Sequence, residues 1–164
     1  MYSKVKIFGH PVHPMLVGFP VALYTATLAG FIIYGVGGDP FWMKMTIALN
    51  VAGVGMASVA AVPGLIDWVF GIPSDTAAKR TGLKHLLLND LALAVFVASM
   101  IVYLGDWTNP TRSAGLGIVL AGIGVAATIV AGFLGWKLVQ DYHVGISLRP
   151  EQEIVDRMDM RRAG

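Results

Sequence analysis

The sequence contains no cysteine. That excludes disulfides, cysteine-ligated iron–sulfur clusters and covalent haem attachment, and leaves histidine and carboxylate as the candidate metal ligands. Charge is scarce too: Asp, Glu, Lys and Arg make up 13% of 164 residues, against about 25% in a soluble domain. No nucleophile-plus-base pattern, phosphate loop or nucleotide fingerprint occurs. Gly35-x-Gly37 lacks the strand-to-helix context a dinucleotide loop needs. The basic residues form no single stripe, so a pI near 9.0 with net charge +2 carries no nucleic-acid signal.

What is abundant is apolar surface: 55% hydrophobic residues and a mean hydropathy of +0.67. A spanning helix needs about 20 residues to cross about 30 Å of hydrocarbon. The length and pattern therefore predict an all-α fold, an integral membrane four-helix bundle over residues 1–146 with a charged tail over 147–164. The expected spans run from about Met15 to Tyr34, Phe41 to Phe70, Leu83 to Leu104 and Ser113 to Val139. Pro14 suits a first helical position, and Pro20 should kink the first helix. Lys4 and Lys6 precede an apolar run without a convincing small-x-small cleavage site, so the first helix reads as retained. In the tail, Pro150 could start a short surface helix with Glu153 and Arg157 paired at i,i+4.

Small residues recur four apart, at Gly53, Ala57 and Ala61 and in several pairs from Gly117 to Gly135. This spacing allows helix backbones to approach closely. Ten Lys and Arg fall on the side of the amino terminus, the second loop and the tail, and two, Lys44 and Arg112, on the other. By the positive-inside rule both termini face the cytoplasm of a bacterial inner membrane.

On that topology His10, His13, Asp67, His85, Asn89, Asp90, Asp141 and His143 gather near one membrane boundary. Bundles build cofactor sites from side chains on facing helices. Two opposed imidazoles, His13 and His85 first, could hold a b-type haem. All four histidines with Asp67 could instead ligate zinc, iron or copper, with Asn89, Asp90 and Asp141 orienting the imidazoles. Asp90 sits inside the apolar run, so it should face the interior, find a partner or stay protonated.

A weak repeat accompanies the histidines. His13-Pro14-Met15-Leu16 and His85-Leu86-Leu87-Leu88 open the first and third helices 72 residues apart. Gly64-Leu65-Ile66-Asp67-Trp68 and Gly132-Phe133-Leu134-Gly135-Trp136 close the second and fourth, 68 apart. Two pseudo-symmetric helical hairpins about an axis along the membrane normal would explain both.

Three motifs resemble a known family. His10 through Pro20 is similar to a His-Pro-x-His-Pro-x-x-Val-x-Phe-Pro start, and His85 and Asn89 to a His-x-x-x-Asn element. Gly135-Trp136, Val139 and His143-Val144-Gly145 partly match the ending, with Lys137-Leu138 where family members often carry a second Gly. The chain thus resembles the small bacterial membrane proteins grouped as domain of unknown function 2231, over about residues 9–146. The resemblance implies a four-helix membrane protein with the four histidines as a set. Some relatives are joined to ferredoxin-like or cytochrome domains, which points toward electron transfer.

The leading expectation is a membrane redox protein with a His-ligated cofactor, passing electrons between a redox partner and a quinone or another membrane carrier. The alternatives are a non-catalytic accessory or scaffold subunit of a larger membrane complex or homo-oligomer, and a zinc-dependent membrane hydrolase with Asp67 or Asp90 as general base.

Overall fold

Four long helices follow from the four apolar runs: α1 (Val12–Gly37), α2 (Pro40–Gly71), α3 (Ala77–Trp107) and α4 (Gly115–Gln140). Each is long and apolar enough to cross a membrane. The structure, a computed structural model, describes residues 3–146, 149–152 and 154. The expected Glu153–Arg157 pair lies outside the described residues. A two-stranded antiparallel ribbon precedes α1, with β1 (Lys6–Ile7) paired to β2 (His10–Pro11). Its two-residue turn places Phe8 at φ 49° and Gly9 at φ 81°, the left-handed pair that hairpin turns favour.

Helix boundaries differ from the apolar runs for local reasons. α1 is interrupted at Val17 between Val12–Leu16 and Gly18–Gly37. Pro20 lacks an N–H and its ring crowds the Leu16 carbonyl, so the expected kink appears as this break. Gly38, at φ 69°, ends α1 by donating its N–H to the Tyr34 carbonyl at 2.8 Å. Asp39 caps α2 through the Phe41 N–H at 2.9 Å, with Pro40 at the first helical position. α3 begins at Ala77 rather than near Leu83, because the Thr76 hydroxyl caps the Lys79 N–H at 3.1 Å. Its first turns are helical but polar, so an apolar pattern does not reveal them.

The last turn of α2, Asp67–Gly71, widens into a π-turn. Lys79 stabilises that end. Its ammonium donates to the carbonyls of Trp68, Val69 and Ile72 and sits 4.4 Å from the centre of the Trp68 ring. At the opposite end of the bundle, buried Asp106 closes the α3–α4 connection. It accepts from the N–H groups of Thr111 and Arg112 at 3.2 Å each and from Arg112 Nε at 3.0 Å.

The helices pack as two hairpins, α1 with α2 and α3 with α4, each more extensive within itself than against the other. Between hairpins, α1 meets α4 and α2 meets α3. Along the centre, α1 and α3 face one another through three aromatic pairs. His13 faces His85, Tyr24 stacks on Phe96 with ring centres 3.7 Å apart, and Phe31 meets Tyr103 at 4.7 Å. Every pair is 72 residues apart, so the bundle has an internal pseudo-twofold. In α2 and α4 the equivalence is 71 residues: Tyr24 lies against Gly53 and Phe96 against Gly124. The sequence match that paired Trp68 with Trp136 at 68 residues therefore sits three residues out of structural register.

Candidate functional site

His13 enters on the first turn of α1, immediately after the ribbon. Its Nδ1 donates to the carbonyl of Ala60 in α2 at 2.9 Å. His85, in the third turn of α3, donates Nδ1 to the carbonyl of Ala131 in α4 at 2.8 Å. The two acceptors are again 71 residues apart. Glycine makes room for each ring: a Cβ on Gly64 would come within 2.7 Å of His13 Cε1, and one on Gly135 within 3.0 Å of His85 Cε1. A carbonyl only accepts, so Nδ1 carries the proton in both rings, and a neutral imidazole then presents its lone pair at Nε2.

The rings lie 6.2 Å apart, centre to centre, with planes at 89°. One feature breaks the symmetry. Asn89, one turn below His85, donates Nδ2 to the His85 carbonyl at 2.8 Å and approaches His85 Nε2 at 3.3 Å. Its pseudo-equivalent in α1 is Val17, so His13 has no such neighbour.

The remaining candidates lie elsewhere. Asp67 is committed to the amino-terminal segment: it accepts from Ser3 Oγ at 2.7 Å, Lys4 N at 2.6 Å and Val5 N at 3.2 Å. His10 is exposed in β2, opposite Ile7. His143 follows α4 at φ 50°, its carbonyl taking the Ile146 N–H at 3.3 Å. Asp141 pairs with Lys137 at 3.8 Å, both side chains nearly half exposed. Asp90, for which an inward position, a partner or a retained proton were the expectations, does not take the inward position: it is exposed on the outer surface of α3. Its position on the helix turns it away from the line of His85, Ala92, Phe96 and Ser99 that packs inward.

Among the described residues no three His, Cys, Asp or Glu side chains come together as a metal-binding group. The structure sets the rings of His13 and His85 against one another. The three-ligand geometry that a zinc hydrolase requires is not assembled among the described residues.

Sequence reasoning missed the polar interior. Thr27, Thr46, Asn50 and Ser99 are all but fully buried, and the Tyr24 hydroxyl, Asn50 Oδ1 and Ser99 Oγ make no hydrogen bond with described residues. A lone Asn in the middle of an apolar run was the available signal. So was the 72-residue spacing of Tyr24 with Phe96 and Phe31 with Tyr103.

Fold and site together define a four-helix membrane-spanning bundle with a pseudo-symmetric histidine pair at one end. A family model described as "Predicted membrane protein (DUF2231)" matches residues 9–148, and the chain belongs to that family. No curated protein and no solved structure matches the chain.

Proposed function

We propose that His13 and His85 form a two-imidazole metal site, with haem iron its leading occupant and electron transfer within the membrane its work. The observation that carries this reading is the paired anchoring of the rings. Each Nδ1 is tied to a backbone carbonyl of its own hairpin, which leaves Nε2 as the ligating atom. The spacing also suits one shared metal. Two imidazoles bound at about 2.0–2.1 Å through one nitrogen each hold their centres roughly 6 Å apart, and these stand at 6.2 Å.

A b-type haem needs two axial ligands and no cysteine, which matches what the pair offers. A copper ion taking two imidazoles is the alternative occupant. To seat a macrocycle, side chains flanking the two rings must move aside while the rings keep their spacing, and Asn89 must release His85 Nε2. In this reading the histidine end faces the cytoplasm, on the side richer in Lys and Arg, and the electron acceptor is a quinone or another membrane carrier.

The test is an oxidised and dithionite-reduced absorption spectrum of detergent-purified protein, with elemental analysis of the same sample and titration with haemin and with copper. The reading expects stoichiometric binding, lost in His13→Ala and in His85→Ala alike and kept in His10→Ala and His143→Ala. Binding that survives either of the first two substitutions would falsify it, as would a folded protein that takes up neither haemin nor copper.

A further inference from the structure

One carboxyl group lies where the bundle itself has no use for it. Asp90 is five residues beyond His85 in α3, about 7 Å farther into the span at 1.5 Å per residue. It is exposed on the outer surface and makes no hydrogen bond or ion pair with the described residues. Carboxylates in spanning helices ordinarily face the protein interior or a partner, because hydrocarbon solvates a charge poorly. The pseudo-symmetric plan does not demand an acid there, since the equivalent position in α1 is Gly18.

The neighbouring helix offers matching chemistry at the same depth. The Ala60 carbonyl and Gly64 bracket the His13 ring, so the histidine layer meets α2 near residue 62. α2 runs opposite to α3, and the level of Asp90 falls about five residues earlier, near Ala57 and within one residue of Ser58. Ser58 is exposed, its hydroxyl turned back on the Val54 carbonyl at 2.8 Å. Small residues flank both groups on the outer surface. Ala94 and Ala98 follow Asp90 at one-turn intervals and are exposed. Gly55 is exposed too, with nothing within 4 Å of where its Cβ would stand.

We propose that the outer α2–α3 face is where a second copy of this chain docks, Asp90 of each copy accepting a hydrogen bond from Ser58 of the other. A twofold interface is self-complementary, so one acceptor and one donor on the same face give two equivalent bonds. Polar side chains joining helices across small residues are the means by which membrane helices associate. No Lys or Arg of the chain lies at that depth in the spans, so in self-association the available donor is a hydroxyl.

The absence of cysteine makes the test clean. Ser58→Cys is placed in one tagged copy and Asp90→Cys in a second with a different tag, and the two are co-reconstituted in liposomes and oxidised. One native Asp90–Ser58 contact survives in the mixed dimer, so the fold of the interface is kept. A mixed disulfide is expected in most of the co-reconstituted protein, and none when Phe133→Cys, on the exposed face of α4, replaces either variant. Energy transfer between labelled wild-type copies should fall at least tenfold in Asp90→Leu and persist in Asp90→Asn, whose amide oxygen still accepts. A mixed disulfide no stronger than the Phe133→Cys control overturns the proposal. So does energy transfer undiminished in Asp90→Leu, or a protein monomeric at every protein-to-lipid ratio.

Discussion

The two hairpins share one plan and differ in what is attached to it. Each holds a histidine on its first helix, a carbonyl acceptor and a cleared glycine on its second, and an aromatic ring against a second glycine one layer deeper. The first hairpin adds Asp67, which binds the amino-terminal strap. The second adds Asn89 beside its histidine and Asp90 on its outer surface. The shared histidines, glycines and aromatic rings line the central axis, whereas Asp67 and Asp90 lie away from it and Asn89 and buried Asn50 make the interior itself asymmetric. That division separates what builds the site from what adapts it.

The aromatic layers give the largest expected effect. Phe96→Ala should cost about 3–5 kcal/mol, because a fully buried ring leaves a cavity among packed helices. Tyr24→Ala should add less than its own single cost on top of it, since the two rings stack on each other. A double-mutant cycle on thermal unfolding in detergent should return a coupling of about 0.5–1.5 kcal/mol. Strict additivity would mean that the hairpins do not rely on this contact.

Next in size are the glycines under the histidines. Gly64→Val and Gly135→Val each drive a side chain into an imidazole and should destabilise by about 1–3 kcal/mol. If the site is shared equally, the two should lower metal or haemin affinity alike, as titration would show. An effect confined to one would break the equivalence of the hairpins.

Asp67 tests the asymmetric part. Asp67→Ala removes three hydrogen bonds from the strap, at about 1 kcal/mol each or somewhat more for a charged acceptor. Hydrogen exchange at the Lys4 and Val5 amides should speed up by at least tenfold while the cores of α3 and α4 stay protected. Exchange rising throughout the bundle would make the strap part of the core.

The finest distinction separates the two tyrosines. The Tyr103 hydroxyl donates to the Ser113 carbonyl and accepts from the Gly117 N–H, each at 2.8 Å, whereas the Tyr24 hydroxyl has no described partner. Tyr103→Phe should cost about 1–3 kcal/mol by leaving backbone groups unpaired, and Tyr24→Phe should be neutral or slightly stabilising. Equal costs in thermal unfolding would show that Tyr24 is hydrogen-bonded after all.

The four spans were legible in the sequence because hydropathy and length fix them nearly alone, as was the 72-residue relation of His13 to His85. The register of the second and fourth helices was not. Trp68 and Trp136 look equivalent because both mark a helix end, but the packing register is set by glycines that clear room for a ring, and these are 71 apart. The gathering of chemistry-bearing residues near one boundary was read from topology, which gives height but not direction around a helix. His13 and His85 turn inward to the same axis, Asp90 turns outward, and Asp67 is taken by a segment whose fold no periodicity announces.

Each imidazole is tied to the backbone of its own hairpin, His13 through Ala60 and His85 through Ala131. The gap between the two rings therefore reports how the two hairpins sit against each other. Anything held by both rings acts as a clasp across the seam between the hairpins. Anything that tilts one hairpin, from lipid thickness to a docked neighbour, loosens that clasp without touching either ring.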